Sequence, residues 1–257
     1  MLRTGLLLGL LLAAGCEDES DVDATWLRSG KWDDGAAVVS VFEGRWMRYG
    51  SWRDALVRDY VIREYLHPEE LTKRDEVTDG LVPVIKANRQ VTFTTGTYQY
   101  RLMHSLFFDR RDGSLVKAVG TSQEGCGIVF QRWDRKSGRL SFDSYWEGEG
   151  AGSRELPGGR FEDEIPFLGA SLRDGDRLTV FPSLMRNRLH GASAEERTVR
   201  REGRRTILSD AVFEYDADGF LVAWTIPGRQ EFRRTVKRRL YYWQHHDPGD
   251  EKLLEAE

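Results

Sequence analysis

The amino-acid sequence predicts an all-β, mainly antiparallel domain, on two observations. Apolar and aromatic residues alternate with polar ones over short runs, the period of a half-buried strand, and helical spacing is scarce. The breaks between runs carry hairpin chemistry: Arg111-Asp112-Gly113, Lys136-Ser137-Gly138 and Asp216-Ala217-Asp218-Gly219 each offer a glycine for a positive φ. Consecutive hairpins make a meander.

In order along the chain, strands are expected at about 36–47, 55–65, 90–97, 99–108, 114–122, 127–133 and 139–146. The second half offers 177–181, 196–202, 205–215, 220–226 and 231–243. Residues 67–79 and 183–194 lack the alternation and are expected as short helix or loop, and the glycine-rich stretch 148–159 as a long loop projecting from one end of the sheet. Ten or so such strands must curl, close or split to bury an apolar face, so a barrel, a half-barrel or a sandwich satisfies the pattern. The abundant Trp and Tyr suit the wall of a groove, although packed core is their commoner role.

Ahead of this domain, Arg3 precedes the apolar run Leu6 to Ala14 and the small-residue site Ala13, Ala14, Gly15, Cys16. The run is too short for a permanent span and reads as a cleaved lipoprotein signal over 1–15. Cys16 is then the acylated first residue; the competing reading is an ordinary secretory signal beside a chance cysteine. Each buried methylene contributes about 0.8 kcal/mol, so two or three acyl chains hold a protein on a membrane where one does not. The acidic stretch that follows predicts a solvated tether over 16–30, with the β domain at 31–246 and a disordered tail at 247–257. Glu17, in place of the aspartate that commonly retains lipoproteins inside, points to the outer membrane, facing the periplasm.

The 38 basic and 42 acidic residues leave a formal charge of −4, which argues against a nucleic-acid binder. With Cys16 acylated, Cys126 has no partner, so no disulfide is expected and Cys126 is expected buried as a small hydrophobe. Beyond the signal no run is apolar enough to span a bilayer.

Ordered blocks carry a resemblance. They are Trp32-Asp33-Asp34-Gly35, Arg48-Tyr49-Gly50, Val82-Pro83-Val84-Ile85-Lys86-x-Asn88, Phe93-x-Thr95-Gly96-x-Tyr98-x-Tyr100, Ser122-Gln123-Glu124-x-Cys126-Gly127, Glu147-Gly148-Glu149 and Glu162-Asp163-Glu164. Over about 31–168 the chain resembles an uncharacterised family of bacterial exported proteins and lipoproteins. Relatives usually have tryptophan where this chain has Gly125, and a polar residue where it has Ile128. Some members carry a name borrowed from a septum-formation inhibitor, a cytosolic nucleotide pyrophosphatase. An exported antiparallel domain is a poor candidate for that chemistry.

The densest candidate binding region holds Tyr98, Tyr100, Gln123 and Glu124, where glycines let backbone approach a ligand and a carboxylate could accept a hydrogen bond or a proton. Glu147 and Glu149 are expected on one strand face. With Glu162, Asp163 and Glu164 they raise a calcium site, but no binding-loop spacing supports it and a solvated loop is favoured. Paired carboxylates also raise glycoside hydrolysis. His245 and His246 adjoin but point to opposite faces of a strand, and no serine elbow, phosphate loop or zinc motif occurs, so no metal, cofactor or catalytic residue is assigned. A basic stripe, Arg197 to Arg205 and Arg229 to Arg239, would offer arginine to anionic headgroups or cell-wall polymers if the two segments lie side by side; an outward protective face is the commoner role. The leading expectation is a non-enzymatic, membrane-anchored module for an envelope lipid, glycan or protein. The alternative is a periplasmic hydrolase using Glu124, Glu147 or Glu149.

Overall fold

The computed structural model describes residues 22–96, 98–189 and 193–241. Fifteen strands form one sheet, antiparallel throughout except at one edge. They are β1 (Ala36–Arg48), β2 (Ser51–Leu66), β3 (Val82–Thr95), β4 (Tyr98–Asp109), β5 (Leu115–Glu124), β6 (Gly127–Asp134), β7 (Arg139–Ser144) and β8 (Gly150–Glu155). Then follow β9 (Arg160–Phe161), β10 (Arg177–Phe181), β11 (Glu195–Glu202), β12 (Arg205–Leu208), β13 (Ala211–Tyr215), β14 (Leu221–Ile226) and β15 (Gln230–Tyr241). The all-β antiparallel expectation holds.

The first eight strands run as a meander outward from β1, and the other seven follow in reverse order outward from β15, which pairs with β1. The sheet's two edges are β8 and β9, yet only residues 156–159 separate them in the chain. Such a link spans at most about 17 Å, so the sheet must curl through most of a circle. Trp133 of β6 meets Phe161 of β9 across the gap, ring centroids 6.3 Å apart, without ladder hydrogen bonds. The result is a split barrel.

A ring of this many strands is too wide for its inward side chains to fill. The chain supplies the filling itself. After β9 a 3-10 turn (Glu162–Glu164), the helical turn α2 (Ile165–Leu168) and a second 3-10 turn (Gly169–Ser171) run through the interior. Ile165, Phe167 and Leu168 join Phe42, Val57, Ile85, Leu106, Phe213 and Trp224 in one core. Tyr215 donates to the Ile165 carbonyl and Thr206 to that of Gly169. A second buried cluster (Leu66, Leu71, Val82, Val84, Phe107, Val116) seats the charged stretch after β2 on the outer face.

Residues assigned above to the tether fold from Val22 onward, which corrects that boundary: Val22, Leu27 and Trp32 are buried, and the helical turn α1 (Thr25–Arg28) closes one barrel end. Arg110 holds this plug, donating to the carbonyls of Leu27, Arg28 and Ser29. Val22 and Leu27 pack over Gly113 of the β4–β5 turn. Cys16, Glu17, the signal, His245, His246 and the tail at 247–257 lie outside the described residues.

Three expectations on strands need correction. The stretch 148–159 contains β8, an edge strand exposed at every residue, whose Gly-Ala-Gly-Ser sequence leaves no apolar alternation to read. The run 205–215 is a hairpin, not one strand, because Ser209 takes φ 57° at its turn. β3 begins at Val82 rather than 90, since Pro83 sits at its second residue and Val84 packs on the outer face.

Candidate functional site

Alternate turns of a meander fall at the same end of the sheet. The plug closes the end holding the β4–β5 and β13–β14 turns; the β1–β2, β3–β4, β5–β6 and β14–β15 turns gather at the other. Tyr49 and Gly50, φ 54° and 70°, form the first of these, both in the left-handed region that a tight hairpin demands. Between these turns lies a cavity of about 300 Å³.

A strap, residues 182–189, leaves β10 and crosses the interior to form one cavity wall. Its seat on the sheet depends on Gly120, where a Cβ would lie 2.4 Å from the Leu184 backbone oxygen. Gln131 donates to that carbonyl at 2.9 Å, and buried Asp163 accepts from the Ser183 hydroxyl (2.7 Å) and the Leu184 amide (2.6 Å). Farther along, Asn187 donates to Glu124 (2.9 Å) and the Leu189 amide to Glu149 (2.9 Å).

The cavity floor is aromatic and aliphatic. Trp46 stacks on Phe93 at 5.8 Å and Phe93 on Tyr100 at 4.8 Å, with Leu102 and Met185 beside them. Arg48 lies over Tyr49 (4.4 Å) and Tyr100 (5.0 Å), donates to Asn187 and Tyr49, and stands 3.8 Å from Glu124. Burial pushes the Tyr100 phenol up, aided by its hydrogen bonds with Glu124 and Tyr49. It is therefore a neutral hydrogen-bonding group. Two buried polar atoms of wall residues, Arg48 Nε and Ser122 Oγ, have no hydrogen-bond partner among the described residues.

Of the residues predicted from sequence, Tyr100 lines the cavity and Glu124 stands directly behind it, because both point inward from β4 and β5. Glu149 reaches the strap and also accepts from Ser144. Gln123 is exposed, since the alternation of β5 turns it outward. Tyr98, half exposed, lies across Gly125: a Cβ there would meet its ring at 2.2 Å. Glu147 is exposed in a turn, so the shared strand face expected for it and Glu149 does not form. The carboxylates 162–164 disperse as well, Glu162 to Arg229, Asp163 to the strap and Glu164 to Arg160. Among the described residues no cluster of acids, histidine or cysteine could hold a metal.

Cys126 is exposed, against the expectation of burial, because it occupies the two-residue β5–β6 turn. The basic stripe does not assemble either: β13 and β14 separate β12 from β15. Its members are largely paired, among them Arg205 with Glu214, Arg234 and Lys237 with Asp216, and Arg239 with Asp34. Sequence reasoning missed Trp46, Arg186, Asn187 and Arg188 altogether. Their neighbours in space come from strands far away in the chain, and a strap without alternation carries no local signal.

Below the cavity His104 is fully buried, 3.9 Å from Asp163, and neither ring nitrogen is hydrogen-bonded among the described residues. Burial first, then Arg89, holds its pKa well below 6.5, while burial raises Asp163 to about 6. The two act oppositely on stability. On acidification below pH 6.5 the unfolded chain takes a histidine proton that the native state refuses, a loss of about 1.4 kcal/mol per pH unit. Native Asp163 binds its proton more tightly than the unfolded aspartate, so between about 6 and 3.8 acidification stabilises. Relative to wild type, His104→Leu is expected to gain stability from pH 6 down to 4 and Asp163→Asn to lose it, read by urea denaturation at each pH. Parallel curves for all three proteins would contradict the assignment.

Comparison with family models, curated proteins and solved structures finds no match.

Proposed function

We propose that this chain is a membrane-anchored envelope lipoprotein that binds a ligand in the end cavity without transforming it. One observation carries the reading: the cavity wall combines an apolar floor with four arginines, Arg48, Arg186, Arg188 and Arg229, and among the described residues includes no carboxylate. The acids behind the wall are committed to it: Glu124, buried, to Asn187 and Tyr100 with Arg48 alongside, Glu162 to Arg229, and Asp163 to Ser183. Hydrolysis of a glycan needs two carboxylates flanking the bond, and this wall offers none. The signal-like N-terminus and the resemblance to exported proteins support the envelope setting.

Two tests apply. With Cys16→Ser, label from palmitate is expected to disappear and the protein to leave the membrane fraction; retention with unchanged processing would overturn the anchor. Glu124→Gln is expected to leave envelope glycan and lipid substrates as unaltered as wild type does. Turnover by wild type that this variant abolishes would replace the binding reading with the hydrolase.

The fold also orients the cavity. Five residues separate Cys16 from Val22, a reach of about 20 Å, and Val22 sits on the β4–β5 turn at the plugged end. Strands such as β3 are about 45 Å long, so the anchor holds the plugged end to the bilayer and the cavity opens away from it. A fluorophore on Cys126, at the open end, is expected to escape a bilayer-embedded quencher. One on Asp112→Cys in a Cys126→Ser background is expected to be quenched; the reverse pattern would contradict the orientation.

A further inference from the structure

The cavity is divided by chemistry into a floor and a rim. Trp46, Phe93 and Tyr100 form a continuous stack that Leu102 and Met185 extend, a surface suited to an alkyl chain or a ring. At about 300 Å³ it sits at the small end of the range for ligand sites, near the bulk of a short acyl chain rather than a whole phospholipid. The rim is cationic. Among the described residues neither Arg186 nor Arg188 is paired with a carboxylate; Arg186 Nε donates to the Arg188 carbonyl, and Arg188 stacks on Trp146 at 3.8 Å. Arg229 is held to Glu162 at 2.9 Å. Behind the wall between floor and rim, among the described residues, Arg48 Nε and Ser122 Oγ are buried without a hydrogen-bond partner. Arginine is the side chain whose fork matches phosphate and carboxylate oxygens.

Resting on the binding reading above, we propose that the ligand is an anionic amphiphile. Its apolar part lies on the Trp46–Phe93–Tyr100 stack and its phosphate or carboxylate meets the arginines of the strap and of Arg48. The open end also exposes Tyr49, Tyr98 and Tyr145. A cavity of this size suits one such amphiphile at a time.

The experiment is a calorimetric titration of the mature chain with four probes sharing one tail: octyl phosphate, octanoate, octyl glucoside and octyltrimethylammonium. Octyl phosphate and octanoate are expected to bind one to one, at least about tenfold tighter than the neutral glucoside, with the cation weakest. The ratio of the two anions distinguishes a phosphate-bearing from a carboxylate-bearing natural ligand. Leu102→Trp, which fills the floor, is expected to abolish all binding. Because that residue is core, the decisive variant is Arg186→Gln with Arg188→Gln, on the accessible strap: the anions are expected to weaken about tenfold and octyl glucoside to stay unchanged. Equal affinity for the glucoside and the anions would overturn the anionic class while leaving a binding module. No binding of any probe by folded wild type would overturn both.

Discussion

Arg89→Met is expected to destabilise the protein by about 3–5 kcal/mol, measured by urea denaturation followed through tryptophan fluorescence. Arg89 Nε and Nη2 each donate to an Asp59 oxygen at 2.7 Å, and the pair is buried inside the barrel. The guanidinium also lies against Trp224 (4.6 Å) and Phe167 (5.1 Å), so it is the polar centre over which α2 docks. Without it Asp59 is left as a lone carboxylate in an apolar interior. Burial raises its pKa even with Arg89 present, and removing the cation raises it further. The native state of the variant then binds a proton that the unfolded state releases, so its deficit shrinks as pH falls. Asp59→Leu combined with Arg89→Met is expected to restore most of the loss, because breaking a buried pair costs more than replacing it. A single-variant loss below about 1 kcal/mol, or a double variant no better than the single, would contradict this.

Gly120→Val is expected to detach the strap. The added carbons would overlap Leu184 backbone atoms, and the strap is main chain there, so no rotamer change relieves the contact. Lifting it breaks the bonds from Gln131 and Asp163 and removes the cavity wall formed by Met185, Arg186 and Asn187. Overpacking of this kind costs about 1–3 kcal/mol, and each lost hydrogen bond adds about 0.5–1.5 kcal/mol, so a total near 3 kcal/mol is expected. Trypsin should cut after Arg186 and Arg188 at least about tenfold faster, since local opening exposes them. Octyl phosphate binding should be lost. Unchanged proteolysis would mean that the strap does not rest on β5.

The strand series was legible where a strand buries one face: β2 alternates around Val57, and the first half of β4 around Tyr100, Leu102 and His104, as a half-buried sheet must. β8 was not, because an exposed edge strand needs no apolar face. Closure was also hidden. The pairing of β1 with β15 joins residues some two hundred positions apart, and no local pattern encodes it. Within the site, Tyr100 and Glu124 could be found because they sit in dense, glycine-flanked hairpin ends. Arg48 stood in a recognised block without a role, and Ser122 likewise; their meaning came only when β1, β4 and β5 were brought to one end. Gln123 stands one step of the two-residue alternation away from the inward face that holds Ser122 and Glu124.

The most direct test of the account is native mass spectrometry of the protein purified from its own envelope with no amphiphile added. The account predicts one non-covalent, anionic adduct per chain, beyond the acyl groups proposed on Cys16, absent from Leu102→Trp and depleted in Arg186→Gln with Arg188→Gln. A bare wild-type chain, or an adduct retained when the floor is filled, would contradict it.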